Sequence, residues 1–177
     1  INDRWFYRWT NQGMGFWLMA WAKLGTTTLG SAGDDLDITV LTPKKFNVFL
    51  IHANGSGVMN CRFNFNNNSN SVYALRENAN GGSDSTSVNQ TVWQPVGSAA
   101  DDKFIINYVS SISGEEKLLM QWINESTTTG SGTAPTRREF VVKFVPSPDA
   151  DITRIDINNS GAGSFDTSSN ISALGTD

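Results

Sequence analysis

The fold of this chain is decided by the stretch FNVFLIHANGSGVMNCRFNF, which spans residues 46–65. Apolar side chains recur there at every second position on both sides of the tetrapeptide 54–57. The first arm carries Phe46, Val48 and Leu50, and the return arm carries Met59, Cys61, Phe63 and Phe65 as its inward set. A period of two is typical of β-strands, and Asn-Gly is a strong hairpin signal. The stretch therefore predicts two antiparallel strands joined by a tight turn.

The same period continues on either side of this stretch. Leu36, Ile38 and Val40 alternate with polar residues before a strand end at Pro43. Further strands are predicted at 72–76, 104–109, 117–123, 138–145, 155–157 and 171–174, with long polar loops at 77–89 and 126–136. About ten short strands at regular spacing favour a sandwich. We therefore predict one all-β domain over residues 1–177, a jelly-roll-like antiparallel β-sandwich.

Composition narrows the classes of partner. The net charge is −4 and charged residues make up 17% of the chain. The tightest basic groups are the pairs Lys44-Lys45 and Arg137-Arg138, which is too little for a site that binds a phosphate backbone. The most apolar run, 13–24, is too short for a transmembrane helix and contains Lys23. We expect neither nucleic acid as the main partner nor a membrane span.

The N-terminal segment, residues 1–24, is rich in tryptophan. Residues 4–9 read RWFYRW, so a strand there would be aromatic on both faces, while a helix over 16–23 is an alternative to a second strand. An aromatic strand with two apolar faces indicates that something outside the domain covers one of them. We expect the segment to pack on neighbouring subunits, and the candidates for assembly or for stacking on a ligand are Trp5, Tyr7, Trp9 and Trp93.

Residues suited to catalysis are scarce. The chain has one histidine, His52, and one cysteine, Cys61, with no Gly-x-Ser-x-Gly motif beside them. Cys61 alternates with polar neighbours and is predicted to be a small buried hydrophobe. Glutamates such as Glu115 and Glu139 leave a glycosidase pair open as an alternative. We expect a protein that is not an enzyme and needs no cofactor.

Acidic residues cluster at one predicted strand entrance. Asp34, Asp35 and Asp37 supply the hard oxygen atoms that Ca²⁺ prefers. Aspartate is also a common residue of turns and strand entrances, and no EF-hand motif accompanies the cluster. The sequence therefore predicts no metal site, with these three aspartates as the candidates for calcium.

A set of short motifs, taken in order, resembles poorly characterised β-sandwich proteins encoded by environmental viruses and phages. The motifs are RFNFN (62–66), NGGSD (80–84), EKL (116–118), GSGTAP (130–135), RRE (137–139), ITRIDI (152–157), GAGSF (161–165) and LG (174–175). The resemblance covers about residues 26–177 and leaves out the tryptophan-rich opening. It implies a structural or surface component of a virion, located on the virion surface or outside the cell, and it assigns no site residues.

Two functions follow as expectations. The first is a virion structural protein (a capsid, decoration or fibre subunit) that assembles with itself and with other virion proteins. The alternative is a carbohydrate-binding module or lectin-like surface protein that binds surface glycans. The alternative requires an exposed tryptophan or tyrosine beside polar side chains in a groove.

Overall fold

The computed structural model of the protein describes residues 20–94 and 102–177. These residues form twelve β-strands and no helix, which confirms the all-β prediction. Within these described residues there is therefore no helix that could span a membrane. The strands are β1 (Ala22–Thr28), β2 (Phe46–Ala53), β3 (Gly55–Ser56), β4 (Cys61–Phe65), β5 (Tyr73–Ala79), β6 (Ser85–Gln90), β7 (Asp102–Ser110), β8 (Lys117–Ser126), β9 (Thr136–Phe144), β10 (Ile155–Asn159), β11 (Ser164–Phe165) and β12 (Asn170–Thr176).

Eight strands form one antiparallel sheet in the order β1-β12-β2-β7-β8-β9-β5-β6. Its central strand β8 alternates between buried and exposed positions along its whole length. Opposite it, Ile105 of β7 pairs with Ile123, and both are fully buried. Because successive side chains of a strand point to opposite faces, the alternation gives the sheet two different faces.

A smaller second layer covers one of these faces. β4 pairs with β10, and β3 pairs with β11, both antiparallel. The segment before β2 adds isolated bridges from Gly33 to Phe165 and from Ile38 to Ile155. The architecture is thus an antiparallel β-sandwich, as predicted, with one wide and one narrow layer.

Aromatic side chains from both layers fill the centre of the core. The rings of Trp93 and Phe63 stack with centroids 5.3 Å apart, and Phe65 lies 4.9 Å from Trp93. Tyr73 of β5 stacks on Phe144 of β9 at 4.9 Å. The hydroxyl of Tyr73 accepts a hydrogen bond of 2.7 Å from the backbone N–H of Phe65 in β4. Tyr73 therefore joins the two layers by packing and by a hydrogen bond.

The predicted hairpin at residues 46–65 is wrong in its pairing. β2 pairs with β12 and β7, whereas β4 pairs with β10, so the two arms lie in different layers. Both arms carry an apolar face, and stacking these faces removes them from water: the rings of Phe49 and Phe65 lie 6.1 Å apart. At the corner, a Cβ on Gly55 would lie 2.5 Å from the backbone carbonyl oxygen of Ser164, so only glycine fits. The inward set of the return arm is confirmed, since Met59, Cys61, Phe63 and Phe65 are all buried.

The strand predicted around Leu36 is also corrected. Residues 35–42 make only isolated bridges, through Asp35 and Ile38, rather than a continuous ladder. Val40, predicted on the same side as Ile38, is 79% exposed, and Leu41 is buried in its place. Without a continuous ladder of hydrogen bonds, the alternation of side chains between the two faces is not enforced. The chain therefore turns Leu41 inward in place of Val40.

The long loop predicted at residues 77–89 is a hairpin. β5 pairs with β6 across a two-residue turn in which Asn80 and Gly81 both have positive φ, as a type I′ turn requires. The turn is closed by a hydrogen bond of 2.9 Å from the N–H of Gly82 to the carbonyl of Ala79. Every residue of β6 is exposed, as predicted for this segment, because β6 is an edge strand that carries little apolar surface.

A buried lysine fixes the connection between β7 and β8. The ammonium of Lys117 donates to the carbonyl oxygens of Ile112 (2.7 Å) and Glu115 (2.9 Å) and to a carboxylate oxygen of Asp149 (2.8 Å). The hydrogen bond from Lys117 holds the pKa of Asp149 below its ordinary value. The first residue of β8 is therefore held in place, and with it the register of the strand at the centre of the sheet.

Candidate interaction surface

The outer face is the side of the large sheet that points away from the second layer. The outward residues of β8 include Leu118, Met120 and Trp122, which are 55%, 61% and 42% exposed. An antiparallel sheet with one solvated side normally carries polar residues there. Other large apolar side chains exposed on this sheet are Phe46, Val88, Phe104, Tyr108 and Val141.

Strand register aligns these residues in a row. Tyr108 of β7 lies opposite Met120 of β8, and Met120 lies opposite Val141 of β9. The next strand places Arg76 of β5 opposite Val141. Side chains that face each other across neighbouring strands are in contact range. The row is therefore an apolar stripe three strands wide that ends at a guanidinium group.

The stripe forms the floor of a groove of about 790 Å³. Phe46 of β2, Leu118 of β8 and Val88 of β6 line it, and so does Trp21, which directly precedes β1. Trp21 and Val88 lie near the two opposite edges of the sheet, so the groove extends across most of the outer face.

The groove continues into a more polar depression of about 420 Å³, which we call the polar end. Trp122 and Glu139 lie opposite each other there. At its rim, Arg76 pairs with Asp84 at 3.0 Å, and this contact lowers the pKa of Asp84. The guanidinium of Arg137 lies 5.5 Å from the centre of the Trp122 ring, in the range of a cation–π contact. An aromatic platform is thus surrounded by hydrogen-bonding groups.

The aromatic residues singled out by the sequence lie elsewhere. Trp5, Tyr7 and Trp9 fall outside the described residues. Trp93 was predicted as an assembly or stacking residue, and this prediction is corrected, because Trp93 is fully buried against Phe63 in the core.

Two of the three candidate calcium ligands are already bound by other groups of the protein. Asp35 accepts a hydrogen bond of 2.7 Å from an asparagine side chain of β10. Asp37 accepts one of 3.0 Å from the N–H of Ile157 and pairs with Arg154 at 3.1 Å. Burial raises the pKa of Asp37 to about 6, against the lowering effect of the Ile157 N–H. Asp34 is exposed, and no three histidine, cysteine, aspartate or glutamate side chains within residues 20–94 and 102–177 are grouped as a metal site.

The single cysteine lies in the core between the two layers, whereas the single histidine is exposed on the large sheet. Cys61 is 2% exposed, as predicted, and burial raises the pKa of its thiol to about 12. A thiol with that pKa stays protonated at neutral pH and is a poor nucleophile. His52 is exposed near the end of β2.

Sequence reasoning missed the residues of the outer face, although a signal was present. The stretch Lys117-Leu-Leu-Met-Gln-Trp-Ile123 carries large apolar residues at outward as well as inward positions. A strand that is apolar on both sides is typical of a sheet covered on both faces. That pattern alone was enough to indicate a second apolar face.

Comparisons of this chain with protein-family models, with curated proteins and with solved structures give no match. The structural feature that bears on function is therefore the outer face.

Proposed function

We propose that this protein is a structural subunit of a virus particle and that it assembles with copies of itself through the outer face. The observation that carries the assembly is the apolar groove, whose floor exposes Tyr108, Met120 and Val141 side by side. Placement in a virus particle is supported by the sequence resemblance of residues 26–177. The two parts have separate supports and are tested separately.

Contact between copies explains why this face is apolar. Monomeric proteins rarely leave a contiguous apolar patch of more than a few hundred Å² in water. The outer face also has the layout of a protein interface, with an apolar centre around Met120 and a polar rim around Arg76 and Asp84. Copies of one chain commonly meet through the same patch on each partner. A second copy is therefore the occupant that we assign to the groove.

The test uses two valines that differ only in location. Val141→Glu puts a carboxylate in the middle of the groove, while Val40→Glu puts one on an exposed valine that does not line it. Sedimentation velocity and electron microscopy are run over a wide range of protein concentration. We expect wild type and Val40→Glu to form the same oligomers and Val141→Glu to stay monomeric, because a carboxylate at the interface must lose its water while Arg76, the cation opposite it, is already paired with Asp84.

Two results would count against assembly through this face. One is a wild-type protein that stays monomeric at every concentration, and the other is a Val141→Glu protein that assembles as well as Val40→Glu. Thermal unfolding of both variants checks that the substitution leaves the fold intact. The virion location is tested independently, by looking for the protein in purified particles with mass spectrometry.

The polar end favours carbohydrate binding as a second candidate function. Exposed Trp122 and Tyr108 line one depression together with Asn78, Glu77 and polar groups of the rim. Sugars stack on aromatic faces, and their hydroxyl groups hydrogen-bond to such side chains. A glycan array, run with and without Ca²⁺, tests this function.

If glycans bind at the polar end, Trp122→Ala abolishes the signals on the array. Phe104→Ala serves as the control, because Phe104 is an exposed aromatic residue that does not line the depression. An array without hits, or equal binding by both variants, removes this candidate.

A further inference from the structure

We infer that the groove of the outer face is the binding site for residues 1–19 of a neighbouring copy of the same chain. This inference rests on the proposed function, because it names the element through which two copies meet. Three observations support it: the composition of the segment, the position at which the chain enters the groove, and the reach of the segment.

The segment has the composition that the groove requires. Residues 1–19 read INDRWFYRWTNQGMGFWLM, in which aromatic residues, methionine and leucine are dense and the charged residues number three. The groove offers Phe46, Tyr108, Leu118 and Met120, which are exposed and chemically similar. Contact between two such surfaces removes apolar area from water on both sides.

The described chain begins at the groove. Trp21 is 47% exposed and lines the groove together with Phe46. Residue 20 is therefore next to the outer face. Residues 1–19 are joined to the chain at the same surface that they are proposed to bind on a neighbouring copy. No linker is needed to bring the segment to an interface between two outer faces.

The segment is long enough to extend past its own groove. Nineteen extended residues reach about 63 Å. The groove runs from β2 to β6, which are five strand spacings apart, or about 24 Å. A strand over residues 4–9 would also be aromatic on both sides, and one groove covers only one of them. The second aromatic side of such a strand needs another surface to cover it. A neighbouring copy supplies that surface, whereas the chain's own groove covers only one side.

Mixing two defective variants of the full 177-residue chain tests the exchange. Met120→Glu disables the groove and leaves the segment intact, whereas the double variant Trp5→Ser/Trp9→Ser disables the segment and leaves the groove intact. Each variant alone should self-associate at least about 30-fold more weakly than wild type. A mixture of the two restores one intact segment in one intact groove. We expect mixed dimers in a 1:1 ratio, detected by energy transfer between labelled variants and by native mass spectrometry.

A segment variant with an unchanged affinity serves as the control. Gln12→Ala alters a polar position of the same segment and should assemble as wild type does. If Trp5→Ser/Trp9→Ser also assembles as wild type while Met120→Glu does not, the segment is not the partner, although the outer face remains the interface. If both variants fail alone and their mixture stays monomeric, exchange between copies is refuted. If wild type itself never associates, the proposed function fails together with this inference.

Discussion

The substitution Tyr73→Phe measures how strongly the two layers of the sandwich are joined. The Tyr73 hydroxyl accepts a hydrogen bond of 2.7 Å from the N–H of Phe65, and both residues are about 1% exposed. Removal of the oxygen leaves that N–H without its acceptor at a site that water does not reach. Such a group costs about 1–3 kcal/mol. For a chain of this size the melting temperature should fall by about 2–12 °C.

The assay is urea unfolding at 25 °C, followed by circular dichroism and by tryptophan fluorescence. Tyr108→Phe is the matched control, because the Tyr108 side chain is 51% exposed and water can hydrate its hydroxyl. The control should change the free energy of unfolding by less than about 0.5 kcal/mol. Repeating the measurement at a second protein concentration excludes a contribution from assembly.

The dependence of the free energy on urea concentration should be the same in wild type and Tyr73→Phe, because the same surface is exposed on unfolding. A loss for Tyr73→Phe no larger than that for Tyr108→Phe would refute the reasoning. The link between β5 and β4 would then be packing alone, without a contribution from the hydrogen bond.

Three further predictions concern Asp37, Cys61 and Gly55. Because the pKa of Asp37 is about 6 when folded and its ordinary value is 3.8, the folded state binds this proton more tightly than the unfolded chain. The free energy of unfolding should then fall by up to about 3 kcal/mol as the pH rises from about 4 to about 6, and Asp37→Asn should remove that part of the dependence in urea titrations. With a pKa of about 12, the Cys61 thiol should resist a maleimide at pH 7 in the folded protein and react once urea unfolds it. Rapid labelling without urea would contradict the burial of Cys61. Gly55→Ala should lower the melting temperature, because its Cβ would overlap the backbone carbonyl oxygen of Ser164, whereas Gly30→Ala, with no atom within 4 Å, should leave it nearly unchanged.

Short-range pattern was a reliable guide to strands and to their buried sides. The inward positions of β4 alternate as the sequence predicts, since the alternation of side chains is a local property of an extended chain. It was less reliable around Val40, where no ladder holds the backbone extended. The period-two pattern of apolar residues predicts the buried face of a strand correctly where a neighbouring strand holds the backbone in the pleated form.

Two Asn-Gly dipeptides show what pattern leaves open. Asn54-Gly55 was predicted to close a hairpin, yet it forms the corner at which the chain passes from the wide layer to the narrow one. Asn80-Gly81 was placed in a loop, yet it closes the hairpin of β5 and β6. Both dipeptides favour a tight turn of the backbone, because glycine permits such geometry. This preference does not specify which strands pair on either side of the turn.

The candidate surface depended even more on tertiary structure. Tyr108, Met120 and Val141 come from three consecutive strands, but only the order of the sheet places Phe46 of β2 beside β7 and Arg76 of β5 beside β9. Trp93 shows the reverse, since an aromatic residue that the sequence offered for binding lies in the core. Exposure is decided by what packs on a residue, which its neighbours in sequence do not reveal.

The sequence by itself determined that the chain is all-β, that the strand from Cys61 to Phe65 turns its apolar residues inward, and that Cys61 is buried. These features follow from the period of two and from the chemistry of single side chains. The tertiary structure decided which strands pair, which turn closes a hairpin and which apolar residues remain in water. Those outcomes depend on the pairing of strands distant in sequence, such as β2 and β12, and on the burial of whole faces between the two layers. Their combined free energy outweighs the preference of any one turn.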